Sequence, residues 1–228
     1  MSALRSLAVA AAVALLPIAV SMRAAAQQVG FTVGTTQSTV FTSYGNGVSG
    51  SNQVRTSLTL GGTYRHRLAP GIVAEPELLL VQRGWGTESQ PTLSTSYLEV
   101  PLLLRFGALS QRGSPVRPVL TVGPAVNLLL WCDLSGTGLT RVAGSGCRKR
   151  IVEPFVADYR VPRLDVGAMA GLGLELRAPG GTLLGLEGRY EYGLTNVQPG
   201  QAGRSRNSTF FFLLNVVPGR SSKEQGGQ

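Results

Sequence analysis

Two cysteines, one histidine and a charged fraction of only 14% leave this 228-residue chain with little material for catalysis. Soluble domains carry about 25% charged residues, and the shortfall excludes a coiled coil or a charged, disordered tail protein. After residue 27 no stretch repeats apolar residues at i, i+3, i+4 and i+7 over three turns, which excludes a helical bundle. A Ser-His-Asp hydrolase or a membrane lipid acyltransferase would have to be built on His66, the one histidine. Two cysteines and one histidine provide no metal site at any standard spacing. No enzyme, catalytic residue, cofactor, metal or nucleic-acid partner is therefore expected.

What the chain does have is glycine, 30 residues of it, and a net charge of +9 in which Lys149 and Lys223 are the only lysines. The N-terminus reads as a secretory signal peptide over residues 1–26. Arg5 supplies the charge, residues 7–20 are apolar, and Ala24, Ala25 and Ala26 form a small-residue cleavage site before Gln27. Pro17 and the short apolar run argue against a membrane helix, which needs about 20 residues. No cysteine follows the cleavage site, so no lipid anchor is expected. Removing Arg5 and Arg23 with the leader takes the charge from +9 to +7. Residues 27–218 are expected to form one domain and 219–228 a flexible tail.

Export to an oxidising compartment allows Cys132 and Cys147 to pair across the Gly- and Ser-containing segment 133–146. Such a bond would remove about 3 kcal/mol of unfolded-state entropy. The alternative is two inert thiols.

From residue 29 onward the apolar pattern has period two, predicting strands over 29–36, 54–68, 72–84, 96–108, 117–131, 163–177, 182–197 and 207–217. Most exceed the usual 5–6 residues and suit the ~9–11 tilted residues that cross a bilayer. Long polar connections follow the first, third, fifth and seventh strands, and short ones follow the second, fourth and sixth. The pattern predicts an all-β, eight-stranded antiparallel up-and-down transmembrane barrel. Outer-membrane barrels place short turns in the periplasm, so the long loops would face outward and both termini would be periplasmic.

Charges within each central strand share one parity: Arg55, Arg65 and Arg67; Glu75, Glu77 and Arg83; Glu99 and Arg105; Asp165, Glu175 and Arg177; Glu187, Arg189 and Glu191. The other parity carries leucines such as Leu58, Leu60, Leu78, Leu80, Leu172, Leu174, Leu184 and Leu186. A soluble lipocalin-like barrel would bury those leucines around an apolar ligand; a membrane barrel would turn them to lipid and bury the charges. Seven acids balance seven arginines, and glycines such as Gly61, Gly167, Gly171, Gly173, Gly185 and Gly193 interleave with them, as suits a crowded lumen. Tyr64, Tyr97, Trp131 and Tyr192 near strand ends suit interfacial girdles. The membrane orientation predicts a lumen plugged by an ion-pair network, because eight strands leave room only for side chains. A narrow channel is the remaining variant.

The long-loop end carries Arg141, Arg148, Lys149, Arg150, Arg160, Arg163, Arg204 and Arg206 against few acids. Such loops suit lipopolysaccharide phosphates, or are simply solvated. Gly45-Asn-Gly-Val-Ser-Gly50 matches G-x-G-x-x-G without a following helix to bind phosphate. Asn207-Ser-Thr209 is a chance sequon. Glu75, Glu77, Glu187 and Glu191 fit a charge network better than glycosidase acids, because arginines cancel them.

Tyr97-Leu-Glu-Val-Pro-Leu-Leu-Leu-Arg105, Val122-Gly-Pro-Ala125, Gly171-Leu-Gly-Leu-Glu175 and Leu186-Glu-Gly-Arg-Tyr-Glu-Tyr-Gly-Leu-Thr-Asn196 together resemble the PorT-like outer membrane β-barrel domain family over the mature chain. The resemblance implies an eight-stranded outer-membrane barrel with no catalytic residues. Two features depart from the pattern. Residues 207–217 alternate poorly, and Pro76, Pro101 and Pro124 fall inside predicted strands, where bulges or broken pairing are expected.

Overall fold

The computed structural model describes residues 27–44, 49–51, 54–85, 92–107, 116–135, 142–144, 148–151, 157–196 and 203–219. The period-two segments form eight long strands: β1 (Gln27–Tyr44), β2 (Arg55–Ala69), β3 (Ile72–Trp85), β4 (Thr92–Gly107), β5 (Val116–Ser135), β6 (Leu164–Arg177), β7 (Leu183–Gly193) and β8 (Gly203–Val217). Each pairs antiparallel with the next, and β8 pairs back onto β1, closing the barrel. Closure satisfies the strand ladders internally, as a lipid environment without water demands.

Several strands run further at the long-loop end than the alternation predicts. Residues 37–44, expected in a loop, continue β1 and pair with β8 as far as Tyr44 opposite Gly203. Thr39, Val40, Phe41 and Thr42 favour extended backbone, but the segment carries no sustained apolar alternation. β4 likewise starts at Thr92 and β5 extends to Ser135. β7 stops earlier than expected, at Gly193, and Asn196 Oδ1 accepts the Ser205 N–H at 3.0 Å. Short strands Ser49–Ser51 and Val142–Gly144 extend the sheet beside β1 and β5. Arg148–Ile151 and Ala157–Arg160 form a separate two-stranded ladder.

The three prolines break the pairing as their missing N–H requires. Pro76 keeps register with Leu102 on β4, while the β2–β3 ladder lapses between Thr63↔Glu77 and His66↔Ala74. Pro101 stays opposite Ala125 but loses its β3 side, and Pro124 stays opposite Ala168 but loses its β4 side. Each proline therefore costs one neighbour, not the strand.

Gly71, with φ of +79°, makes the tight turn between β2 and β3. The β6–β7 turn uses Gly180 and Gly181, at +78° and +80°. Gly219, placed by sequence in the tail, donates its N–H to Thr182 Oγ1 at 3.3 Å and packs on that second turn. Residues 1–26, expected as a leader, and residues 220–228 lie outside the described residues.

Burial settles which face is inside. Leu58, Leu172 and Leu186 are about two-thirds exposed, while Arg83, Glu99 and Arg189 are buried. The leucines thus coat the outside, which overturns the lipocalin-like alternative with its apolar internal site. β8 alternates poorly because both of its faces are apolar in the middle. Phe210, Phe212 and Leu214 point outward, and Phe211 and Leu213 point into the lumen against Leu79, Val81, Leu103, Ala125 and Met169.

A charge-packed lumen and two mouths

Every inward position on a strand of a narrow barrel shares space with side chains from across the lumen. Charges placed there must find partners, because an unpaired buried charge costs several kcal/mol. The inner apolar belt divides these partners into two groups on most strands, while on β7 Glu187, Arg189 and Glu191 run continuously between them.

The lower group lies toward the short turns. Arg189 makes a fork to Glu77, with Nη1 at 2.5 Å and Nη2 at 2.9 Å, and also reaches Glu187, with Nε at 2.8 Å. Arg105 Nη1 lies 3.0 Å from Glu187 and 3.4 Å from Glu75. Arg65 contacts Glu75 at 3.0 Å and Glu175 at 2.7 Å. Neutral groups complete the cluster: Thr121 Oγ1 donates to Glu187 at 2.5 Å, and Asn215 Nδ2 donates to the same carboxylate at 3.3 Å. Thr32 Oγ1 in turn donates to Asn215 Oδ1 at 2.7 Å.

The upper group centres on Arg83, whose Nη2 donates to both Glu99 and Glu191. Its guanidinium also lies over the Tyr97 ring, 5.5 Å from the centroid, and 5.9 Å from that of Phe211. Asn127 Nδ2 donates to Glu191 at 2.8 Å, and Asn207 Nδ2 donates to Asp165 at 2.8 Å. Tyr97, expected at an interfacial girdle, is instead buried in the lumen. Its odd number places it with Glu99, not with the lipid-facing Leu98. Trp131 remains outside, and Tyr192 accepts a hydrogen bond from Arg206 Nη1 at 2.6 Å.

The structure therefore brings Arg65, Glu75, Glu77, Arg105, Glu175, Glu187 and Arg189 together in one cluster and Arg83, Glu99 and Glu191 in another. Asp165 lies buried beside the second, held by Asn207. Arg55 is half-buried beside Gly84, and Arg67 and Arg177 are exposed at the short-turn mouth; among the described residues these three make no ion pair. Parity shows which face a residue occupies but not its depth, so strand-end charges look the same as mid-strand ones in sequence. Asn127, Thr121, Asn207 and Asn215 were missed for the opposite reason: they share the charged parity but carry no charge to mark it.

Gly171 makes room for this packing. A Cβ there would meet Arg189 Cγ at 2.6 Å and Thr121 Oγ1 at 2.8 Å. At the long-loop end Val40, Leu93, Tyr97, Leu129 and the buried Cys132 form a second apolar cluster with Val161. Cys147 lies outside the described residues, and with it the expected pairing of the two cysteines. Ala26 does too, while Gln27 opens β1.

Residues 23–198 match the family described as outer membrane protein beta-barrel domain. No curated protein is similar to the chain at a significant level. Solved structures with similar chains include Neisserial surface protein A, at 12% identity and a TM-score of 0.45, covering 82% of this chain and 96% of that one. Ail of Yersinia pestis has 14% identity and a TM-score of 0.43, covering 84% and 98%. The outer membrane protease OmpT of Escherichia coli has 10% identity and a TM-score of 0.49, covering 87% and 98%.

Proposed function

Since the chain belongs to the outer membrane protein beta-barrel domain family, and is a small outer-membrane barrel whose lumen is crossed by buried ion pairs, we propose that it works without catalysis, as a structural, surface-interaction or assembly-partner barrel. Within the family it sits with the PorT-like barrels, on the strength of the 97–105 and 186–196 motifs. The observation that carries the reading is the lumen itself. Arg83, Arg105 and Arg189 are each held by two or more carboxylates across it, a filling that suits a rigid plugged support and not a general diffusion pore. The working surface is then the long-loop end, which faces outward while both termini lie in the periplasm, in keeping with short periplasmic turns.

Arg148, Lys149, Arg150 and Arg160 share the short ladder in the longest connection, with Arg148 opposite Arg160. A basic strand pair of this kind fits the phosphates of lipopolysaccharide. A Cys132–Cys147 bond would tether the start of the same connection to β5. Cross-linking on intact cells, followed by purification, tests both orientation and partner. Lipopolysaccharide should co-purify with the wild type, and retention should fall about tenfold when Arg148, Lys149 and Arg150 are all replaced by serine, as the loss of three charge pairs of about 0.5 kcal/mol each implies. Unchanged retention would remove lipopolysaccharide as the partner, and a segment 136–163 that external protease cannot cut on intact cells would reverse the orientation.

A further inference from the structure

We propose that the short-turn mouth of the barrel is a binding site for a compact polyvalent oxyanion of the phosphate or pyrophosphate type. A cavity of about 340 Å³ opens there, and five arginines line it: Arg65, Arg67, Arg105, Arg117 and Arg177. Glu175 is the one carboxylate among the described residues of its wall.

That carboxylate is already engaged. Its Oε2 lies 2.7 Å from Arg65 Nη1 and 3.5 Å from Arg105 Nη2. Arg117 sits directly opposite Glu175 in the β5–β6 register, yet Glu175 turns inward and no ion pair joins the two. Arg117 Nε is buried at the cavity wall and makes no hydrogen bond among the described residues. Arg67 and Arg177 likewise have no carboxylate partner among the described residues.

The mouth is thus a concave surface with a surplus of guanidinium groups and at least one buried N–H donor unused. The floor, formed by Arg65 and Arg105, is fixed by pairs reaching down to Glu75 and Glu187. The rim is formed by Arg67, Arg117 and Arg177, none of which has a carboxylate partner among the described residues. Guanidinium forks match the oxygens of phosphate in paired hydrogen bonds, and several forks around one concavity favour a di- or trianion over a monovalent ion. The size of the cavity suits a pyrophosphate group or a phospholipid headgroup, the two sources of this chemistry at a membrane surface. The site is at the opposite end from the long loops and does not depend on what those loops bind.

The test uses the mature protein refolded into phosphatidylcholine nanodiscs and titrated with inorganic pyrophosphate, followed by calorimetry and by broadening of the phosphorus resonance. Saturable binding at one site is expected, tighter than for orthophosphate. The double variant Arg67→Ala/Arg177→Ala should weaken it by at least about tenfold, since a hydrogen bond to a charged group contributes about 1.5–3 kcal/mol and 1.4 kcal/mol is a factor of ten. Both side chains are exposed and unpaired, so the barrel should still fold, as an unchanged strand signal in circular dichroism would show. Arg204→Ala, at the far end, should bind as the wild type does. Adding phosphatidylglycerol to the nanodiscs separates the sources: competition with pyrophosphate identifies a headgroup, and no competition identifies a soluble phosphate, and either result supports the site. No saturable binding, only an adventitious ion at high concentration, or equal weakening by all three arginine changes would overturn it.

Discussion

Replacing Arg189 by methionine should lower unfolding stability by about 3–5 kcal/mol, the cost of removing one member of a buried ion pair. Arg189 is fully buried, and it is the single ion-pair partner of Glu77 among the described residues. Glu187 retains Arg105 at 3.0 Å and Thr121, so the stranded charge is chiefly that of Glu77. Adding Glu77→Gln to the Arg189→Met chain should therefore recover part of the loss, because a neutral amide is far cheaper to bury than a lone carboxylate. Urea unfolding of the barrel in lipid vesicles reads both changes as shifts in midpoint. A methionine variant that unfolds with the wild type would mean that the lumen is not packed as described.

The second large effect belongs to the outer face. Leu78→Arg should destabilise the folded barrel by about 2–4 kcal/mol, the cost of a cation near the middle of the lipid-facing band of a membrane barrel. Leu78 is 54% exposed on β3, between the inward Glu77 and Leu79. Gln82, two lipid-facing positions further along β3, marks where the apolar band gives way to polar residues, and Gln82→Arg should cost only about 0–1 kcal/mol, as near an interface. Folded fraction after insertion into vesicles, read from the faster gel migration of the unheated barrel, checks the pair. Equal tolerance of both arginines would place the leucine band in water.

The strand count, the closed up-and-down order and the two faces were legible in the sequence because the charges keep to one parity and most leucines to the other along β2, β3, β4, β6 and β7. Orientation was legible for a separate reason. Seven arginines and seven acids on one face make a poor solvent face, although among the described residues only Arg65, Arg83, Arg105 and Arg189 of those arginines pair with acids in the lumen. Other features left no such trace. Residues 37–44 lack the alternation that reveals a strand because, beyond the lipid, neither face needs to be apolar. β8 reads as one apolar run because Phe211 and Leu213 meet the inner belt while Phe210 and Phe212 meet lipid. Tyr97 was misplaced by its chemistry: an aromatic near a strand end suggests a girdle, but its parity with Glu99 and the cation above its ring hold it inside. The arginine mouth was hidden within the face assignment itself, since Arg67 and Arg177 share parity with the buried charges and differ only in lying past the last ion pair.

Leucines meet acyl chains while ion pairs fill the middle, and magnetisation transfer from lipid to protein reads out that arrangement residue by residue. With methyl-labelled leucine in lipid nanodiscs, the methyl groups of Leu60, Leu78, Leu172 and Leu186 should show cross-peaks to acyl methylene protons. Those of Leu79, Leu103 and Leu213, each buried in the inner belt, should show none. Acyl cross-peaks from the second set, or water cross-peaks in place of lipid ones from the first, would mean that the leucine face does not meet lipid.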